Sequence, residues 1–95
     1  PYINYSYFLV DINKYDEMIK FGEEALKIEG IDRGTIYSLM GKAFELRNNL
    51  EIAYKYYKYS KINSTNHSFI EEINASLYRV KNKMNSFQKI KFLFK

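Results

Sequence analysis

No cysteine occurs among the 95 residues, and His67 is the single histidine. Neither a disulfide framework nor a thiolate zinc site can form, and one imidazole does not build a histidine-rich metal site, so no metal or cofactor is expected. A chain without thiols is at ease in a reducing compartment, and a cytoplasmic location is the expectation. Long apolar runs are missing as well. None approaches the roughly 20 residues needed to cross a bilayer, and no basic-then-apolar leader opens the chain, so no transmembrane segment is expected. Period-two alternation is absent over useful lengths, which leaves no strand reading. The first residue is Pro1 rather than methionine and the helical pattern already runs at Tyr2, so the sequence reads as a piece of a longer protein.

What is present points to one small globular domain. Apolar residues make up 46% and aromatic residues 18%, too much buryable surface for a disordered tail. The net charge of +4 is divided unevenly. Residues 1 to 34 hold four Lys/Arg against seven Asp/Glu, and residues 35 to 95 hold eleven against four. One end is acidic and the other basic. From Arg79 onward Lys81, Lys83, Lys89, Lys91 and Lys95 follow without an acid, a run that reads first as a solvated face and second as a phosphate- or lipid-attracting tail.

A helical period with punctuation roughly every 16 to 18 residues predicts about six helices and an all-α fold. They are expected at about Tyr2 to Ile12, Tyr15 to Ile28, Gly34 or Thr35 to the Asn48-Asn49 pair, Leu50 to Ile62, Ser68 to Lys83 and Ser86 to Phe94. Asn13, Asn48-Asn49 and Asn63-Ser64-Thr65-Asn66 mark breaks because asparagine side chains compete for the backbone. Asp16 and Glu17 at the start of the second helix and Gly30 beyond its end suit the helix dipole and a left-handed closing turn. Ser68 with Glu71 three residues on has capping-box spacing.

The segment Gly34 to Thr65 resembles one tetratricopeptide repeat, an antiparallel helix pair. Tyr37, Met40, Gly41 and Phe44 stand at the spacing of the family's W-x-x-L-G-x-x-Y signature, and Ala53, Tyr57 and Ser60 supply the small, aromatic and small positions of the second helix. In the preceding unit Ala25 and Leu26 fit, whereas Met18, Gly22 and Ser6 depart from the pattern. In the following one Ala75 takes the close-contact position and Tyr78 comes three residues later. The resemblance implies a short right-handed solenoid with units at about 1–33, 34–67 and 68–95, the last closed by a terminal helix carrying Phe87, Ile90 and Phe94. These repeats are also similar to the sensor domains of peptide-pheromone-responsive bacterial regulators and to the end of phage arbitrium-type receptors. That similarity implies a role in signalling and transcription regulation, with a DNA-binding or effector domain elsewhere in the protein.

In the tetratricopeptide family the first helices line a concave groove that binds peptides or protein segments. By spacing, the groove here would present Asn4, Tyr7 and Asp11, then Ser38, Lys42 and Glu45, then Glu72, Ser76 and Arg79. The carboxylate clamp of the chaperone-binding members is not supported, because Ile3, Tyr7, Leu39 and Ile73 occupy its positions.

Catalysis is not expected. Glu23-Glu24 and Glu71-Glu72 are adjacent pairs that diverge by about 100° on a helix, no phosphate-cradling glycine loop occurs, and His67 has no partner in sequence. Nucleic-acid binding is the rival reading. Tyr54, Tyr56, Tyr57 and Tyr59 interleave with Lys55, Lys58 and Lys61, but a helix cannot turn them all to one face, and Tyr57 points inward if Ala53 does. A purely structural role remains as well, with the apolar C-terminal helix packing home or forming a homodimer. Asn-x-Ser/Thr triplets at Asn4, Asn63, Asn66 and Asn74 read as by-products of an asparagine-rich composition.

Overall fold

The computed structural model describes the backbone of residues 2–93 and the side chains of residues 2–86. Among them the fold is all helical, with α1 at Tyr2–Asp11, α2 at Tyr15–Ala25, α3 at Arg33–Leu46, α4 at Leu50–Ile62 and α5 at His67–Leu93. Each helix packs on the next, and α1 also packs on α3.

The turns follow from local chemistry. Asn13 and Asn48 adopt φ of 61° and 63°, the left-handed conformation that asparagine tolerates better than other residues with a Cβ. At each, the following amide reaches back over five residues, Lys14 to the Leu9 carbonyl at 2.8 Å and Asn49 to the Phe44 carbonyl at 2.9 Å. The same closing turn therefore ends α1 and α3. Asp32 caps α3, accepting from the Thr35 amide at 3.1 Å and from its hydroxyl at 2.8 Å. The cap of α5 is Asn66, whose side-chain oxygen accepts from the Phe69 amide at 3.0 Å. Ser68 was the expected cap; with Asn66 bonding the same turn two residues earlier, Ser68 and His67 fall inside the helix.

The expected break between Lys83 and Ser86 is absent. Neither glycine nor proline interrupts that stretch, so α5 runs on as one helix of 27 residues and the described chain has five helices rather than about six. At 1.5 Å per residue α5 spans roughly 40 Å, which accounts for the long dimension of 48 Å. Phe87, Ile90 and Phe94, expected to pack as a terminal apolar face, lie outside the described side chains.

Two apolar clusters share the interior. Leu9, Val10, Met18, Ile19, Ile36, Leu39 and Met40 fill the space between α1, α2 and α3, while Leu50, Ala53, Tyr57, Ile73 and Val80 join α4 to α5. Phe44 packs against both. The small residues sit where backbones approach. A Cβ on Gly41 would stand 3.0 Å from the Tyr57 ring, and one on Gly22 would lie 2.6 Å from Cγ and Sδ of Met40. Gly22, which stands where the repeat pattern favours an aromatic, is thus complemented by the buried Met40 side chain. Ser60 is fully buried and donates to the Gly34 carbonyl at 2.6 Å, tying α4 to the start of α3. Ala75, by contrast, is exposed, and Tyr78 is 72% exposed, because no further helix covers that side of α5 among the described residues.

Candidate functional site

A cleft of about 260 Å³ opens between α1, α3 and α5. Its floor holds the buried Val10, Leu39 and Ile73. Its walls are polar because the helical period places Ser38 and Lys42 one turn apart on α3, and Glu72, Ser76 and Arg79 along one face of α5. Tyr7 and Asp11 complete the wall on α1. Seven of the nine side chains expected at the groove therefore line one cleft. Asn4 is exposed on α1 but lies outside the lining.

Glu45 is the correction. Its side chain is only 4% exposed, so it cannot serve as an open contact for a ligand. It accepts the Tyr57 hydroxyl at 2.9 Å, Arg79 Nε and Nη2 at 2.7 and 2.8 Å, and Lys83 Nζ at 2.7 Å. Burial pushes the Glu45 carboxyl up, but the hydrogen bonds from Arg79, Lys83 and Tyr57 outweigh it and hold the group down at about 2. Burial first, and then the neighbouring carboxylate, pushes the Tyr57 hydroxyl above its ordinary range, so it remains a donor. Arg79 is raised chiefly by its bond to Glu45 and stays a cation. A buried carboxylate thus fixes a guanidinium that is itself 47% exposed and lines the cleft. Spacing along the chain could not reveal this, since Arg79 lies 34 residues and Lys83 38 residues from Glu45.

A second cavity, of about 450 Å³, adjoins the first. Asp32, Thr35, the break from Asn63 to Asn66, and Ser68 line it, and Phe69 and Glu72 line both cavities. The sequence marked these residues only as a turn. The cluster of carboxyl, hydroxyl and amide groups arises because the cap of α3 and the start of α5 meet beside the α4–α5 connection.

The tyrosines of α4 divide as their helical phase requires. Tyr57 is buried, and Tyr56 and Tyr59 join Tyr37 and Phe44 in an aromatic cluster with centroid separations of 5.3 to 6.0 Å. Burial first, and then Glu23, raises the Tyr56 hydroxyl above its usual range. Lys55 and Lys58 lie over the rings of Tyr59 and Tyr54 at 5.8 and 5.7 Å. Among the described residues no group of three or more acidic, histidine or cysteine side chains could hold a metal ion, and no helix is long and apolar enough to cross a membrane.

No family model, curated protein or solved structure matches the chain significantly.

Proposed function

We propose that the chain is a non-catalytic binding module that holds a short peptide or protein segment in the cleft between α1, α3 and α5. The observation that carries this is the union of a buried apolar floor with polar walls drawn from three helices, one wall residue being a guanidinium locked by a buried carboxylate. Concave sites that join an apolar surface to fixed polar groups are where ligands dock. In this reading α1–α2 and α3–α4 are two successive tetratricopeptide-like pairs and α5 opens a third. The contacts of α1 with α3 and of every helix with its successor support it, as do the buried positions of Gly41, Ala53, Tyr57 and Ser60. The wider role we infer is the cytoplasmic sensor part of a peptide-responsive transcriptional regulator.

A display library of short peptides screened on the immobilised chain tests the site. Ser76→Trp fills the cleft from α5 at the loss of one 3.3 Å bond from Arg79, and Lys42→Ala removes a wall cation; neither removes a partner of Glu45, and circular dichroism verifies the fold. Peptides retained by the native chain and lost with Ser76→Trp support the reading. Equal retention by both chains overturns it.

The exposed Ala75 and Tyr78 favour one further role, a homodimer through the outer face of α5. Its test is the solution mass of the native chain against Tyr78→Lys.

A further inference from the structure

The two cavities adjoin at Phe69 and Glu72, which line both, and together they lay out a path from the start of α3 to Arg79. Its charge is not uniform. At the end beside the start of α3, Asp32 and Glu72 are the charged lining groups, and no lysine or arginine lines that cavity. At the other end Lys42 and Arg79 line the cleft, with Asp11 across from them.

The balance at this second end follows from the Glu45 cluster. One carboxylate there meets two cations, Arg79 and Lys83. With the shared Glu72 counted at the other end, Lys42 and Arg79 in the lining and Lys83 behind it stand against Asp11 and Glu45, a surplus of one positive charge. Arg79 spends Nε and Nη2 on Glu45 and Ser76, and none of these bonds uses Nη1. A guanidinium held along one edge keeps its remaining donors pre-ordered for a carboxylate. An anion arriving there completes the cluster, and a cation arriving between Asp32 and Glu72 neutralises the other end.

A free peptide carries these two charges at its own ends. Resting on the peptide-binding reading above, we infer that the path takes an extended peptide in one direction. Its amino end or a basic first residue lies between Asp32 and Glu72, and its carboxyl end or an acidic last residue lies at Lys42 and Arg79. The peptide then runs parallel to α3, whose start carries Asp32 and whose last two turns carry Lys42. Direction is set by the electrostatic gradient, and the apolar floor and Phe69 accept the middle of the chain.

The test uses two hexapeptide mixtures with randomised centres. One has lysine first, glutamate last and free termini; the other has glutamate first, lysine last and blocked termini. Both are passed over the immobilised chain, and the retained peptide is quantified by mass. The first mixture is expected to be retained about tenfold more, the sum of two partly exposed charge contacts at each end. The variant carrying Lys42→Glu and Glu72→Lys exchanges one charge at each end on exposed positions, and is expected to lose or invert the preference. Equal retention of the two mixtures, lost with Ser76→Trp, overturns the direction while leaving the cleft a peptide site. Retention of neither, by any chain, overturns the site and the direction together.

Discussion

Arg79 grips Glu45 with two nitrogens, Nε at 2.7 Å and Nη2 at 2.8 Å, joining the end of α3 to the middle of α5. Because only the carboxylate is buried, the pair works asymmetrically: Glu45 loses its water and Arg79 keeps half of its own. Replacing Glu45 by glutamine leaves the shape but removes the charge that Arg79, Lys83 and Tyr57 share. A loss of about 2 kcal/mol is expected on urea unfolding. A loss below about 0.5 kcal/mol, the range of ordinary surface changes, would show that the cluster does not hold α3 to α5.

The same carboxyl sets an acid limit on stability. Its folded value of about 2 lies below the ordinary 4.5, so the folded state favours the ionised form. A depressed carboxyl contributes stability that is fully present above the unfolded value and disappears as the pH falls toward the folded one. The contribution is on the order of 2 kcal/mol once screening of the half-exposed Arg79 and Lys83 is discounted. Unfolding free energy is expected to decline between pH 4.5 and about 2, and Glu45→Gln is expected to remove that part of the slope. An identical acid profile for the two chains would sink the assignment.

How much of this was readable in the chain depends on the range of the interaction. The breaks at Asn13 and Asn48 were legible because a left-handed asparagine closes a helix through its nearest neighbours. The phase of α4 was legible for the same reason, since Ala53, Tyr57 and Ser60 share a face on any helix. The fate of Glu45 was not, because what buries it comes from α4 and α5. As an isolated position on α3 it reads as one more polar wall residue beside Ser38 and Lys42. The continuity of α5 was hidden by the expected break between Lys83 and Ser86, where Met84 and Asn85 do not stop the helix. The second cavity depends on Asp32 and Glu72, 40 positions apart in sequence, meeting at the α4–α5 connection.

Gly22 and Met40 offer a test of packing between α2 and α3. Gly22→Ala gains about 1 kcal/mol of helix propensity, but the new Cβ falls 2.6 Å from Cγ and Sδ of a methionine with no exposure. Overpacking is expected to exceed that gain, for a net loss of about 1 to 2 kcal/mol. In the Met40→Ala background the clash is gone and Gly22→Ala should become neutral or stabilising. A double-mutant cycle measures the coupling, and additivity within about 0.3 kcal/mol would mean that the two residues do not share this space.

The aromatic cluster on α4 decides how the chain meets nucleic acid. Stacking on a base requires an open ring face, and each exposed base stacked on an aromatic side chain is worth roughly 1 to 3 kcal/mol in single-strand binders. Here Tyr56 stacks on Phe44 at 5.3 Å and meets Tyr59 edge to face at 5.8 Å, and Lys55 lies over the Tyr59 ring. The rings are occupied by one another, and what the lysines offer is charge alone. Any affinity for a single-stranded oligonucleotide is therefore expected to fall away between roughly 50 and 200 mM salt, and Tyr59→Leu should change it less than about twofold. Measured by fluorescence anisotropy, a tenfold loss with Tyr59→Leu at moderate salt would reverse the argument and make this surface a nucleic-acid site.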